Sequence, residues 1–247
     1  MEILRRIRKA NLARRIASIL GSEFICDLAA VTEKRAMEAT INATSAEMFA
    51  ESGMRLANEL KARMPDDAVA LDFGCGIGRP EKFLAPFCRE IHGVDISRGM
   101  LRIAKRRHKG ISNVYFHKNK AHNLSIFRDS TFDFAFSVAV LSHMNKEQVV
   151  LLLGEFYRVL KENGKIFLQF YNLLYPPNLS KFIAESKAKV HLPTHPRYWL
   201  PEEVREVVQA TEFEVISLTT TDANYTVDYS SRSHSIWVLA SKSGSRK

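Results

Sequence analysis

At 247 residues, with 46% hydrophobic and 26% charged content, the chain is ordinary for a soluble protein. It is long enough for one full α/β core with appended helices, not for two independent domains. A net charge of +9 suits an anionic partner such as nucleic acid, an acidic substrate or an anionic membrane surface, or else plain solubility charge. The longest apolar runs, near Phe134–Leu141 and Val149–Leu153, are too short to span a bilayer.

Three cysteines, Cys26, Cys75 and Cys88, show neither metal-ligand nor CxxC spacing. They read as small buried residues in a reducing compartment. The apolar patch after the first arginines is broken by Glu23 and Asp27, so no secretion signal is expected and the cytoplasm is.

Residues 1–64 are expected to form a helical extension. Arg5, Arg6, Arg8, Lys9, Arg14 and Arg15 stand against one acid, Glu2, within residues 1–20. Ile3, Leu4 and Ile7 share one helical face, and Leu12, Ile16, Ile19 and Leu20 another. This segment reads as a basic helix touching membrane, acidic substrate or partner, or as a lid or dimerisation helix with a solvated basic face. Ser45 followed by Met48, Phe49, Leu56 and Leu60 predicts a capped amphipathic helix. Met64-Pro65-Asp66-Asp67 turns into a domain that should run from 65 to 241.

Val69-Ala-Leu-Asp-Phe73 reads as a short buried strand, followed at once by Gly74, Gly76 and Gly78. Pro80 sits where a helix would begin. The spacing GxGxG is neither the dinucleotide-binding GxGxxG nor the P-loop GxxxxGK[ST], so phosphate cradling is not indicated. Asp72, at the strand end, suits a ligand carrying an ammonium group. The next strand, Ile91–Ile96, ends in Asp95, where an acid accepts both hydroxyls of a ribose. An ammonium at one tip and a ribose at the next describe S-adenosylmethionine.

Four blocks, LDFGCGIGR, GVDISRGML, STFDFAFSVAVLSHM and FYRVLKENGKIFLQF, occur in this order between about Ala68 and Phe170. In them the chain resembles the class I S-adenosylmethionine-dependent methyltransferases. The resemblance implies a Rossmann-like α/β fold: a seven-stranded, mostly parallel sheet, helices on both faces, the last hairpin reversed. It implies S-adenosylmethionine as cofactor and S-adenosylhomocysteine as product. The cofactor would be lined by Asp72, Gly74, Cys75, Gly76, Gly78, Asp95, Ile96, Met100, Asn119, Ala121 and Ser137, beneath the N-terminal helices.

Glu81–Phe87 is expected as the first domain helix, and Ser97–His108 as the second, capped by Ser97. The second carries Arg98, Arg102, Lys105, Arg106 and Lys109 on one face, either phosphate-tracking or simply solvated. Asn113–Lys118 should be the third strand. The resemblance implies an acid after it that holds the adenine amino group, but Lys120 stands at that position. Lys cannot accept a hydrogen bond, whereas the neighbouring Asn119 can. Asn119 is therefore assigned to adenine, with Ala121 as a backbone contact.

Thr131–Val138 reads as a central strand leading to Ser142-His143, on the side where open α/β sheets bind ligands. His143 is the candidate general base for methylation at oxygen, or else a packing residue of the loop. Lys146–Leu160 is expected as a helix, Asn163-Gly164 as a turn and Lys165–Tyr171 as the fifth strand. Tyr175-Pro176-Pro177 should interrupt regular structure. Residues 172–200 read as a substrate-side cap, in which His191, His195, Arg197 and Tyr198, with Tyr171, are candidate acceptor contacts. Arg197 could pair with a carboxylate or phosphate. No carboxylate cluster follows strand four, so no metal site is readable.

Pro201–Ala210 should be helical, Glu212–Thr221 and Ser233–Ser241 a closing antiparallel pair, and 242–247 a disordered tail. The loop Ser137-Val-Ala-Val140 lacks the Asn/Asp-Pro-Pro-Tyr of amine-directed enzymes. No cysteine follows Cys88, which removes pyrimidine C5 chemistry. The expected activity is methyl transfer to a small-molecule or glycan-like acceptor, at oxygen. The alternatives are an RNA or membrane-lipid methyltransferase using residues 1–20, with nucleic acid the less favoured partner, and a non-catalytic cofactor-binding regulator.

Overall fold

The computed structural model describes residues 23–187, 196–221 and 235–243. Its sheet runs in the order β3-β2-β1-β4-β5-β8-β7, with a short β6 paired to β5. Strands β1 (Ala68–Phe73), β2 (Cys88–Asp95), β3 (Val114–Lys118), β4 (Phe132–Ser137) and β5 (Leu160–Asn172) are parallel. β8 (Ser235–Lys242) is antiparallel to β5 and to β7 (Phe213–Thr221). The seven expected strands and the reversed hairpin are present. An eighth, β6 (Tyr198–Trp199), was not expected, since a two-residue strand carries no periodic pattern.

β1 is buried along its whole length because both faces are covered. Val69, Leu71 and Phe73 join Leu152, Phe156 and Val159 of α6 (Lys146–Val159), with Val204 and Val208 of α8 (Pro201–Ala210) in the same core. Ala68 and Ala70 face Leu56 and Leu60 of α3 (Ala46–Lys61) and Leu84 of α4 (Glu81–Leu84). Phe156 is fully buried edge-on to Phe73, so its truncation to alanine would cost about 3–5 kcal/mol.

A third cluster joins residues 23–30, whose helical part is α1 (23–29), and α2 (Glu33–Ile41) to the domain. Ala30, Met37, Ile41 and Phe49 pack there on Ile77 of the glycine turn and on Met100 and Ile103 of α5 (Arg98–Arg107). Residues 23–61 thus pack directly on the domain. The basic segment 1–20, the tail beyond 243 and the joining residues 222–234 lie outside the described residues.

Three boundaries differ from expectation, each for a local reason. The first domain helix is split into α4 and a 3-10 turn, Ala85–Phe87, because Pro86 cannot donate the next helical bond. β5 begins at Leu160, so Asn163 (φ 61°) and Gly164 form an irregularity inside the strand, not a turn before it. Pro176-Pro177 does not interrupt regular structure but opens α7 (Pro176–Lys187), since the first helical turn needs no proline N–H.

Candidate active site

The site is built on the C-terminal ends of β1 to β5, where the parallel strands release their loops. After β1 the chain turns through Gly74 (φ 82°) and Gly76 (φ 55°), a region costly for residues with a Cβ. A Cβ on Gly74 would lie 2.2 Å from Val140 Cγ2, so the turn presses directly on the loop after β4. A Cβ on Gly76 would make only ordinary contact with Thr40 of α2, its Oγ1 3.7 Å away, so the positive φ and not crowding is what requires glycine there.

The turn spends its donors on itself and on β2. Gly74 N–H and Cys75 N–H both donate to the Val94 carbonyl, at 2.8 and 3.0 Å. Gly78 N–H donates to the Cys75 carbonyl. Gly76 N–H donates to Asp95 Oδ2 at 3.0 Å. A phosphate-binding nest needs such donors free and convergent, so this turn is not one. Asp95 Oδ1 accepts from Ser97 N–H at 2.8 Å. Each carboxylate oxygen therefore holds one amide and keeps a second acceptor site. Burial pushes the Asp95 carboxyl above its ordinary range, and those amides oppose the shift.

Helix α1 stands over this tip. Asp27 Oδ1 accepts from the Ser97 hydroxyl at 2.6 Å and from Gly99 N–H at 2.9 Å. It caps α5 from outside, where a negative charge meets the positive end of the helix. The Cys26 thiol is pushed up to about 12 by burial and by Asp95 and Asp27 beside it. Lys118 Nζ at the end of β3 pairs with Glu23 at 2.6 Å.

Behind the turn, Asp72 and Glu81 form a buried carboxyl pair near the Arg79 guanidinium. Burial raises both groups, Glu81 to about 7, and the neighbouring Glu81 raises Asp72 further while Arg79 opposes. Asp72 therefore meets protein charges first.

At the tip of β3, Asn119 is buried and Lys120 is exposed. Asn119 Nδ2 donates to the Ala121 carbonyl at 2.7 Å, which holds Ala121 at φ 48°. Asn119 Oδ1 is left buried without a hydrogen-bond partner. Such an atom costs about 1–3 kcal/mol unless something donates to it.

After β4, Ala139 has φ 63°, a strained conformation for a residue with a Cβ. Its N–H donates to Gln169 Oε1 at 2.8 Å, and Gln169 Nε2 donates to Ser235 Oγ at 2.7 Å. The chain then makes a 3-10 turn, Leu141–His143, leaving the His143 side chain exposed. The Ser142 carbonyl accepts from Arg197 N–H at 2.6 Å. Tyr198 pairs in β6 with Tyr171 of β5, their rings 6.5 Å apart. Burial, with Glu185 and Tyr171 nearby, pushes the Tyr198 phenol up to about 12, so it stays a donor. His143, Arg197, Tyr198 and Tyr171 thus gather at the ends of β4 and β5. His191 and His195 lie outside the described residues.

Residues 71–168 match the family model described as a methyltransferase domain. Over these residues the chain carries a methyltransferase domain. An uncharacterized methyltransferase, YcgJ, from Bacillus subtilis is 30% identical over 115 residues, covering 46% of this chain and 44% of that protein. A demethylmenaquinone methyltransferase from Bacillus licheniformis is 28% identical over 186 residues, covering 69% of this chain and 75% of that protein. A crystal structure of a SAM-dependent methyltransferase from Methanosarcina mazei superposes with a TM-score of 0.65 at 19% identity, covering 75% of this chain and 97% of that one. The chain spans under half the length of YcgJ and of the methyltransferase GfsG from Streptomyces halstedii.

The residues of this methyltransferase domain fit S-adenosylmethionine. The orphaned Asn119 oxygen is what the exocyclic amine of a nucleoside would satisfy. Asp95 can accept ribose hydroxyls. Ile96 is half-buried beside it. Other expected contacts face away. Cys75 packs under the turn against Leu101, Ala104 and Phe116, Met100 packs into the α1–α3 cluster, and the Ser137 hydroxyl donates to the Phe73 carbonyl at 2.9 Å. A Cβ on Gly78 would strike His108, so that glycine serves helix packing. No sequence signal marked Asp27, Thr40 or Gln169, whose partners are distant in the chain. The charged pair flanking Pro80, at the entrance to a buried helix, was a signal for Arg79 and Glu81.

Proposed function

We propose that this protein transfers the methyl group of S-adenosylmethionine to a small-molecule or glycan-like acceptor, at oxygen. The cofactor supplies a methyl already activated on sulfonium, so the protein has to align a nucleophile and exclude water. Asp95 is assigned to the ribose, Asn119 to the adenine edge, and Asp72 with Gly74 and Gly76 to the amino-acid end. His143 is assigned as the base that takes the acceptor hydroxyl proton, a role for which an imidazole suits neutral pH.

The observation that carries the reading is the Arg197-to-Ser142 hydrogen bond. It holds the insertion against the His143 turn, while Val140 of the same loop touches Gly74. His143, Arg197, Tyr198 and Tyr171 are thus carried on segments that meet beside the loop reaching the cofactor turn, which supports a shared acceptor site. Arg197 would hold an acidic acceptor group. Incubating the chain with methyl-labelled S-adenosylmethionine and a panel of hydroxylated, carboxylated and glycosylated acceptors tests this. Released S-adenosylhomocysteine matched by an O-methylated product supports it, and transfer only to nitrogen or carbon overturns the oxygen assignment.

An apolar acceptor is the second reading. Leu174, Leu179, Phe182 and Ile183, in and beside α7, are exposed just beyond the end of β5. Demethylmenaquinone methyltransferase, one of the relatives, acts on a molecule of that kind by its name. No helix among the described residues is long and apolar enough to cross a membrane. Including isoprenoid quinols and lipids in the panel separates the two readings.

A further inference from the structure

A recess lies among α2, α3, α4 and the end of α5. It has a volume of about 360 Å³ and is lined by Glu33, Arg79, Lys82, Arg106, Arg107 and His108, with Gly78 and the ring of Phe83. That is within the roughly 300–1,000 Å³ of small-molecule clefts. Its wall carries four permanent cations and one acid. Glu33 bridges two of the cations, Oε2 to Arg106 Nη2 at 3.1 Å and Oε1 to Arg107 Nη1. A carboxylate of the chain already shows how an anion is held there.

Among the lining residues, Arg107 Nε and His108 Nε2 are buried polar atoms without a hydrogen-bond partner. Arg107 is fixed by Phe49, its guanidinium 4.9 Å over the ring. His108 is 5% exposed, and its Nδ1 lies 2.8 Å from the Ala104 carbonyl. A carbonyl can only accept, so Nδ1 carries the proton and Nε2 presents a lone pair. Burial, with Arg107 and Lys82 nearby, holds the imidazole below its ordinary range and so neutral. The recess therefore offers charged donors together with one fixed acceptor.

We propose that this recess is a binding site for a phosphomonoester, separate from the cofactor crevice. Its phosphate oxygens meet Arg106, Arg107 and Lys82, and a hydroxyl of the same molecule donates to His108 Nε2. A guanidinium pair favours phosphate over a spherical anion because two N–H groups point in parallel at two oxygens. A carboxylate alone leaves the His108 lone pair unanswered. The phosphate can belong to a soluble metabolite or to a lipid headgroup.

The experiment uses the full chain in calorimetry with inorganic phosphate, at ionic strength held constant with chloride. Saturable binding is expected, weakened about tenfold in Lys82→Gln and in Arg106→Gln, whose side chains are exposed. S-adenosylmethionine affinity should not change in either variant. Displacement of phosphate by glycerol 3-phosphate identifies a soluble ligand. Co-sedimentation with phosphatidic acid vesicles but not phosphatidylcholine vesicles, lost in the variants, identifies a headgroup. Absence of both phosphate and vesicle binding overturns the proposal, as does binding undiminished in the double variant. Either result leaves methyl transfer standing, because that reading rests on Asp95, Asn119 and the loop after β4, none of which lines the recess.

Discussion

Gly76 and Asp95 are joined by an amide-to-carboxylate hydrogen bond of 3.0 Å, which ties the turn after β1 to the end of β2. The same carboxylate holds Ser97 N–H, so one side chain sets the shape of both loops that would flank a nucleoside. Asp95→Asn keeps the size and one acceptor but removes the charge. Hydrogen bonds to charged groups contribute about 1.5–3 kcal/mol each. S-adenosylmethionine affinity should fall roughly 10- to 100-fold, read by calorimetry, with the fold intact by circular dichroism.

Asn119 carries the second prediction. Its buried Oδ1 has no hydrogen-bond partner, and under the proposed assignment it would accept from the adenine amine. Asn119→Ala should weaken S-adenosylhomocysteine binding about 2- to 10-fold, the range for one neutral hydrogen bond. An analogue without the 6-amino group should bind the wild type correspondingly less well. The variant should bind the analogue and the parent equally, and continued discrimination would place the adenine elsewhere.

His143 is the exposed residue of a 3-10 turn whose Leu141 and Ser142 are buried. His143→Ala should leave cofactor affinity unchanged. Turnover with the acceptor found by the screen should fall by roughly a hundredfold or more, the range for a positioned general base. Undiminished turnover would return His143 to the role of a loop residue.

Glu81 makes the stability of the fold depend on pH. Its folded value is about 7 against an ordinary 4.5, because burial disfavours the charged form. The stabilisation is complete below about 4.5 and is lost as the pH rises through about 7, since the unfolded chain releases this proton first. Glu81→Gln should flatten the melting temperature across that window. A variant that still loses stability over the same range would assign the titration to another group.

Much of this architecture was legible because its signals are local. Continuous apolar runs marked β1 and β4, and Ser45 and Ser97 cap helices as their spacing predicts, at 3.2 and 3.0 Å. The choice of Asn119 over Lys120 joined the position the resemblance implies to hydrogen-bonding capacity; Asn119 is buried and Lys120 exposed. What stayed hidden depends on tertiary approach. Asp27 reaches a helix start 70 residues away. Asp72 read as an open carboxylate at a strand end, and only packing brings Glu81 and Arg79 against it. The prolines of α7 read as a break because their neighbours determine whether a missing N–H matters.

The strained loop at Ala139 depends on a relay, Gln169 holding Ala139 and Ser235 holding Gln169. Ser235 belongs to β8, which inserts between β5 and β7. During synthesis the five parallel strands leave the ribosome well before that hydroxyl does. The support of the Ala139 turn is therefore completed only by a residue synthesised after all five parallel strands.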